Sequence, residues 1–365
     1  MCGRVCPGRD TPRRRRWRHL DLLGFRCYLE GAIRRAHCPA HGVKPEMLPF
    51  ADPVSRFTRL FEELVAWTAQ RCDKTMTATL HRISWLSVGR ICARVVKRRR
   101  DPIDFTQLRV IGVDELSYRK GHRYLTLVTD LQSGRIIWSK EGRSKETLMD
   151  FFREVGPKVC EQIQYAVIDM CEAYAQAIKS SLPYAEIVYD RFHVQRLISA
   201  AVDETRREEW RRLRGTPDAD AIKHTRWALL KKPWKLTEAQ DEALARVQQD
   251  NRRLYRAYLL KEAFADVFDR FPEPSKARKR LKGWLAWASR SRLPAFHKAY
   301  RTIREHLESI LGYFRTRLSN GIVEGLNTKA RLATRQAYGF HSADAVRAMI
   351  ELRCSDLAVP LPHQG

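Results

Sequence analysis

LRVIGVDELSYRKGHRYLTLVTD, residues 108–130, holds two strand-length apolar runs around a basic turn. The first climbs through Val110, Ile111 and Val113 to Asp114, the turn is Arg119-Lys120-Gly121-His122, and the second run is Tyr124 to Thr129. Both runs are rich in Val, Ile, Tyr and Thr, and a Gly-containing polar turn separates them, so the stretch reads as a β-hairpin. Asp114 needs a reason. Burying an ionised carboxylate at the end of an apolar strand is expensive unless it is paired, hydrogen-bonded or bound to a metal. An aspartate in a strand-end turn is the ordinary alternative.

The segment downstream repeats the pattern. Gly134 to Trp138 reads as a third strand, and a helix opens at Ser144 and runs through Val155. Tyr165 to Asp169 (YAVID) is a short apolar strand ending on a second carboxylate, and a helix from Glu172 stops before Pro183. Glu186 to Tyr189 then ends at Asp190, in IVYDRFHV. Strands separated by helices predict an α/β sheet. Ligands gather at strand ends in such sheets, which gives Asp114, Asp169 and Asp190 a common destination.

The flanks differ in kind. Residues 196–310 are charged and helical, with no strand pattern and no fixed repeat, and read as an all-helical insertion. Its aromatics Trp210, Trp227, Trp234, Tyr255, Phe264, Phe268, Trp284 and Trp287 read as core rather than base-stacking platforms. Beyond it, RLSNGIVEGLNTKARLATRQAYGF lets Ser319 or Asn320 cap a helix carrying Glu324. Asn327 and Arg331 lie three and seven residues on, along the same face.

The 365 residues carry a net charge of +26, and the first 100 hold 22 Lys and Arg against 8 Asp and Glu. That density points to a polyanion, most often nucleic acid bound through phosphates. No apolar run approaches the roughly 20 residues of a membrane span, and the arginine-rich start has no hydrophobic signal core. A soluble cytoplasmic protein associated with the nucleoid is the expectation, with no membrane partner.

Nine cysteines, an odd number scattered along the chain, argue against a disulfide framework. Four fall in the first 38 residues. Cys38-Pro-Ala-His41 has the two-residue gap of a zinc knuckle, and Cys2-x3-Cys6 is a looser first pair. Between them Arg15, Arg16, Trp17 and Arg18 form an arginine run with an aromatic, expected to face DNA. Residues 53–100 read as helices, the last two joined by a turn at Ser84-Trp85 as a helix-turn-helix. Its second helix would carry Arg90, Arg94, Lys97 and Arg98 toward a groove. Asp101-Pro102 marks a boundary. The resulting organisation is a finger-like segment (1–48), a helix-turn-helix (49–101), a catalytic core in two parts (102–195 and 311–365) and the insertion (196–310) between them.

Asp114 and Asp169 lie 55 residues apart, and Glu324 follows 155 residues later. Three carboxylates can hold two magnesium ions, which prefer oxygen ligands and keep positions open for water and phosphate. The motifs resemble the bacterial insertion-sequence transposases of the ISL-three group. They are IGVDE (111–115), RKGHRYLTLVTD (119–130), VIDM (167–170), YDRFHV (189–194) and NGIVEGLN (320–327). RWRHLDL, CPAHGV and SRFTRLFEELV are similar to that family's finger and the segment after it. The resemblance implies an RNase H-like core, a mixed sheet flanked by helices, with Asp114, Asp169 and Glu324 as catalytic triad. It implies Asp190, His193 and Asn327 in support, and two Mg2+ ions, with Mn2+ able to substitute. It further implies Zn2+ at Cys2, Cys6, Cys38 and His41, double-stranded DNA (element ends and target) as partner, and a homodimer or larger synaptic complex. The family's finger opens with a two-residue-spaced cysteine pair. Cys2 takes the place of its second member, so the finger is expected to be one ligand short.

Overall fold

The computed structural model describes residues 6–8, 13–100, 103–119, 123–318, 321–336, 342–355 and 357–362. Two small antiparallel hairpins come first: β1 (Arg13–Arg18) with β2 (Tyr28–Ile33), and β3 (Arg35–Cys38) with β4 (Gly42–Pro45). Trp17 is the anchor here. It is 1% exposed and packs with Ile33 and Ala51, with its ring edge-on to Phe50.

Three helices follow, each opened by a side-chain cap. α1 (Arg59–Arg71) starts at Thr58, α2 (Lys74–His81) at Asp73, and α3 (Trp85–Arg99) at Ser84. Each cap oxygen accepts an otherwise orphaned backbone N–H of the first turn. The break between α2 and α3 falls at Arg82, in left-handed backbone. The core of these helices is shared with the sheet and the C-terminal segment. Phe61, Val65, Val88, Ile91 and Val95 pack with Leu116, Leu125 and Leu127 of the central sheet and with Met349 and Ile350 near the C-terminus.

The central sheet has five strands in the order β7–β6–β5–β8–β9. β5 (Val110–Arg119), β6 (Arg123–Asp130) and β7 (Arg135–Glu141) are antiparallel, whereas β8 (Tyr165–Ile168) and β9 (Glu186–Tyr189) join β5 in parallel. α4 (Lys145–Val155) and α5 (Pro157–Gln162) cross from β7 to β8, and α6 (Glu172–Ser181) from β8 to β9. This is the mixed sheet flanked by helices, RNase H-like, that the family resemblance implies. β5 differs in one respect: Asp114 sits inside the strand, opposite Leu127, because antiparallel pairing with β6 continues to Arg119.

α7 (Arg191–Arg212) leads from β9 into the insertion. There α8 (Pro217–Lys223), α9 (Arg226–Leu230), α10 (Glu238–Asp250), α11 (Arg252–Arg270), α12 (Pro274–Ser289) and α13 (Pro294–Glu305) form one all-helical body. Phe264, Phe268 and Trp284 are buried in it as expected, but Trp227, Trp234 and Trp287 are 55%, 69% and 36% exposed. Trp227 lies on the five-residue α9 and Trp234 in the short turn after it, and Trp287 lies on the outer side of α12. α14 (Leu307–Thr316) returns to β9, and Gly312 permits the contact. A Cβ there would meet Val188 and Glu186 at 3.0 Å. α15 (Gly321–Gln336) and α16 (Ala343–Cys354) complete the chain's helices, α15 packing on β5 and α16 on α3. The predicted caps Ser319 and Asn320 fall outside the described residues. No helix among the described residues is long and apolar enough to cross a membrane.

Candidate active site

Register alone brings the three aspartates together. Val113 pairs with Ile168, and Ile168 with Tyr189, so the next residues, Asp114, Asp169 and Asp190, sit side by side across three neighbouring strands. The backbone N–H of Asp190 donates to the carbonyl of Ile168 (3.1 Å), which ties the last two strand ends together. One turn into α7, His193 places Nε2 2.8 Å from Oδ1 of Asp169 and 3.9 Å from Oδ2 of Asp190. The first contact pairs the imidazole with the Asp169 carboxylate. Asp169, Asp190 and His193 each present a ligand atom, all within 4.8 Å of one another.

Asp114 is held from two sides. Its Oδ1 accepts the Glu115 backbone N–H at 2.6 Å, and its Oδ2 accepts the side-chain amide of Asn327 on α15. Burial and the Asp169 carboxylate raise its pKa to about 6. The Glu115 N–H, His193 and Arg331 act in the opposite direction. For His193 burial opposes the charged ring, but Asp169 outweighs it, and the imidazole lies above its ordinary value. Two carboxylates that resist sharing charge, with a cation-favouring histidine beside one of them, are what a site built for extra positive charge looks like.

The donor chemistry fits a hard divalent cation. Oδ1 of Asp169 faces His193, and Oδ1 of Asn327 is a buried oxygen that accepts no hydrogen bond among the described residues. Unsatisfied buried oxygens of this kind are costly unless something electropositive faces them. Glu324 lies three residues before Asn327 on α15, the helix packed against β5. Its side chain is outside the described residues. Asn327 is 2% exposed and reaches Asp114, so it is Asn327 that orients the α15 face toward the site. Tyr174 is a neighbour that sequence reasoning missed. It is buried on α6, and its hydroxyl lies 2.9 Å from Thr126 Oγ1 on β6. Its only sequence signal was an apolar position on a helix.

The predicted zinc and DNA contacts divide. Cys38 and His41 meet across the β3–β4 turn, with Sγ 3.4 Å from Nδ1. Cys6 is brought alongside β3 by the bridge from Gly8 to Ala36, and Cys2 is outside the described residues. Of the arginine run, Arg16 is exposed and stacks on Tyr28 (4.3 Å). Trp17 and Arg18 are buried, and Arg15 donates to the carbonyls of Pro53 and Ser55. These three brace the fold, because β1 turns them against the α1 entry loop. On α3 the same sorting occurs. Arg94 and Arg98 are bound by Glu62, which is fully buried, and Arg98 also by Asp52. Arg90 and Lys97 are exposed.

Residues 111–350 match the DDE transposase model of the ISL3 family, described as a transposase. Residues 46–96 match the helix-turn-helix domain of transposase family ISL3, and residues 1–41 the zinc-finger of transposases IS204/IS1001/IS1096/IS1165. The chain is 37% identical to the transposase for insertion sequence element IS1557 of Mycobacterium tuberculosis, over 95% of this chain and 83% of that protein. It is 29% identical to the transposase for insertion sequence element IS1001 of Bordetella parapertussis, over 94% and 85% respectively.

Proposed function

This chain belongs to the ISL3 family of transposases, DNA-cleaving and DNA-transferring enzymes with a helix-turn-helix DNA-binding domain, and we propose that Asp114, Asp169 and Glu324 are its catalytic triad. The observation that carries this reading is the side-by-side placement of Asp114 and Asp169 beneath α15, with the buried Oδ1 of Asn327 lacking a hydrogen-bond partner among the described residues. Asp114, Asp169 and Glu324 would hold two divalent cations, Mg2+ or Mn2+. When bound, such a pair activates an attacking oxygen and stabilises the leaving oxygen of an in-line displacement at phosphorus.

The chain's own residues prepare that chemistry. Asn327 and the Glu115 N–H fix the two oxygens of Asp114. His193 stands beside Asp169 and Asp190 in support, and Arg331 eases the negative charge at Asp114. The helix-turn-helix and the finger, with Zn2+ at Cys38 and His41 and with Cys2 and Cys6 as further ligands, recognise the terminal inverted repeats of the element. One site hydrolyses the strand and then uses the freed 3′-hydroxyl on target DNA, since both steps are in-line displacements. Bringing two ends together calls for at least a dimer.

The deciding experiment is cleavage and strand transfer in magnesium on a duplex carrying the ends of the encoding element. Wild type should yield nicked and joined products, and Asp114→Ala neither. End-specific binding without cleavage by wild type would point to a DNA-binding regulator, and cleavage without joining to a nuclease.

A further inference from the structure

The insertion carries a charge pattern that the cleavage site leaves unused. Residues 274–304, from the start of α12 to the last residue but one of α13, contain ten Lys and Arg and no Asp or Glu, and Glu305 closes the helix. On α13 the apolar side, Ala295, Phe296, Ala299 and Ile303, is buried, and the helix packs against α7 and α12. That turns His297, Lys298, Arg301 and Arg304 to solvent. Lys298 is paired with Glu204 of α7, and Arg304 donates to the Tyr300 hydroxyl. Among the described residues Arg292 and Arg301 have no carboxylate partner. They line one open groove with Pro294, His297 and Lys298.

The strip has a direction. His306, just past the end of α13, packs its ring 5.0 Å from that of Tyr189, the residue before Asp190. Arg292 marks the opposite end. A helix of 12 residues is about 18 Å long, at 1.5 Å per residue. That length equals about five phosphate steps of 3.4 Å along one DNA strand. Lys276, Arg278 and Lys298 are paired with Glu273, Glu308 and Glu204, and the other seven cations, without a carboxylate partner among the described residues, repel one another unless a regularly charged anion lies across them.

We propose that the exposed face of α12–α13 is a second DNA-binding surface, distinct from the finger and the helix-turn-helix. It holds the phosphate backbone of duplex DNA leaving the catalytic edge and does not read its sequence. The proposal rests on Asp114 and Asp169 marking that edge. Its test reads binding rather than cleavage, so its outcome is separate from the fate of the triad.

Full-length protein is titrated at several salt concentrations with two duplexes, one carrying the element's terminal sequence and one of unrelated sequence. The variant is Arg292→Gly/Arg301→Gln/Arg304→Gln. Glycine suits position 292, whose φ is +58°. Each lost phosphate contact lowers the slope of log K against log salt by about 0.9, so the triple variant should lose about 2 to 3 in slope. Affinity at moderate salt should fall at least about tenfold. The charge-keeping variant Arg301→Lys/Arg304→Lys should bind as wild type does, and so should Arg246→Gln/Arg252→Gln on α10 and α11. Weakening confined to the terminal duplex assigns the strip to element DNA, and weakening confined to the unrelated duplex assigns it to target DNA. A folded triple variant with unchanged slope and affinity on both duplexes overturns the proposal, as does an equal loss in the α10–α11 control.

Discussion

Asn327 donates its side-chain amide to the carboxylate of Asp114 across 213 residues of sequence, joining the returning helix α15 to the first strand of the sheet. This bond gives Asn327 a positioning role, because it fixes Oδ2 of Asp114 while Asn327 Oδ1 accepts no hydrogen bond among the described residues. Asn327→Leu removes the donor at nearly constant volume. The expected outcome is a fall in kcat for strand cleavage of about 10- to 100-fold, the usual range when a group orienting a metal ligand is lost. DNA affinity should be unchanged. Single-turnover kinetics beside a binding titration separates the two.

Asp114 predicts a stability profile. Its carboxyl is raised from 3.8 to about 6 by burial and by Asp169. The fold therefore favours the protonated acid. That contribution is complete below the unfolded value and is lost as pH rises through about 6. Without divalent ions, Asp114→Asn should be more stable than wild type above neutrality, by on the order of 1–3 kcal/mol. The gap should close as pH falls toward 4. Urea denaturation across this pH range measures it, and a constant gap would remove Asp114 as its source.

The sorting of arginines on α3 gives a third expectation. Glu62 is fully buried and binds Arg94 and Arg98 while accepting the Ser55 hydroxyl at 2.6 Å. Glu62→Ala strands those cations and should cost about 3–5 kcal/mol of stability. Arg90→Gln/Lys97→Gln should leave melting unchanged and weaken DNA binding. The reverse pattern would mean that α3 presents its other face to DNA.

A fourth expectation concerns the finger. Cys38→Ser should reduce zinc content measured by elemental analysis, because Cys38 and His41 are the pair that the β3–β4 turn brings together. Unaltered zinc content would place the metal elsewhere.

Much of this was legible in the chain because it is local. Apolar runs ending in Asp169 and Asp190, and the helix opening at Ser144, depend on neighbours in sequence and appear where expected. What local pattern could not reveal was partnership over distance. Arg94 and Arg98 look like Arg90 in sequence, yet the burial of Glu62 decides which cations turn inward. Trp17 looked like a DNA contact beside its arginines, and the closure of β1 on β2 made it core. Trp227 and Trp234 looked like core, and they lie exposed on the five-residue α9 and in the short turn after it. The shared core of α1–α3 with α16 arises from segments more than two hundred residues apart, which no boundary signal at Asp101-Pro102 reports.

The central claim is that Asp114, Asp169 and Glu324 bind the metal that carries the chemistry, and ligand exchange at Asp169 tests it most directly. Asp169→Cys replaces a hard oxygen with a soft sulfur, which magnesium tolerates poorly and manganese better. Strand cleavage is measured for wild type and variant in each metal. The account predicts wild-type activity in both metals, and a variant silent in Mg2+ that recovers cleavage in Mn2+. An Asp169→Cys enzyme as active in Mg2+ as wild type would contradict it.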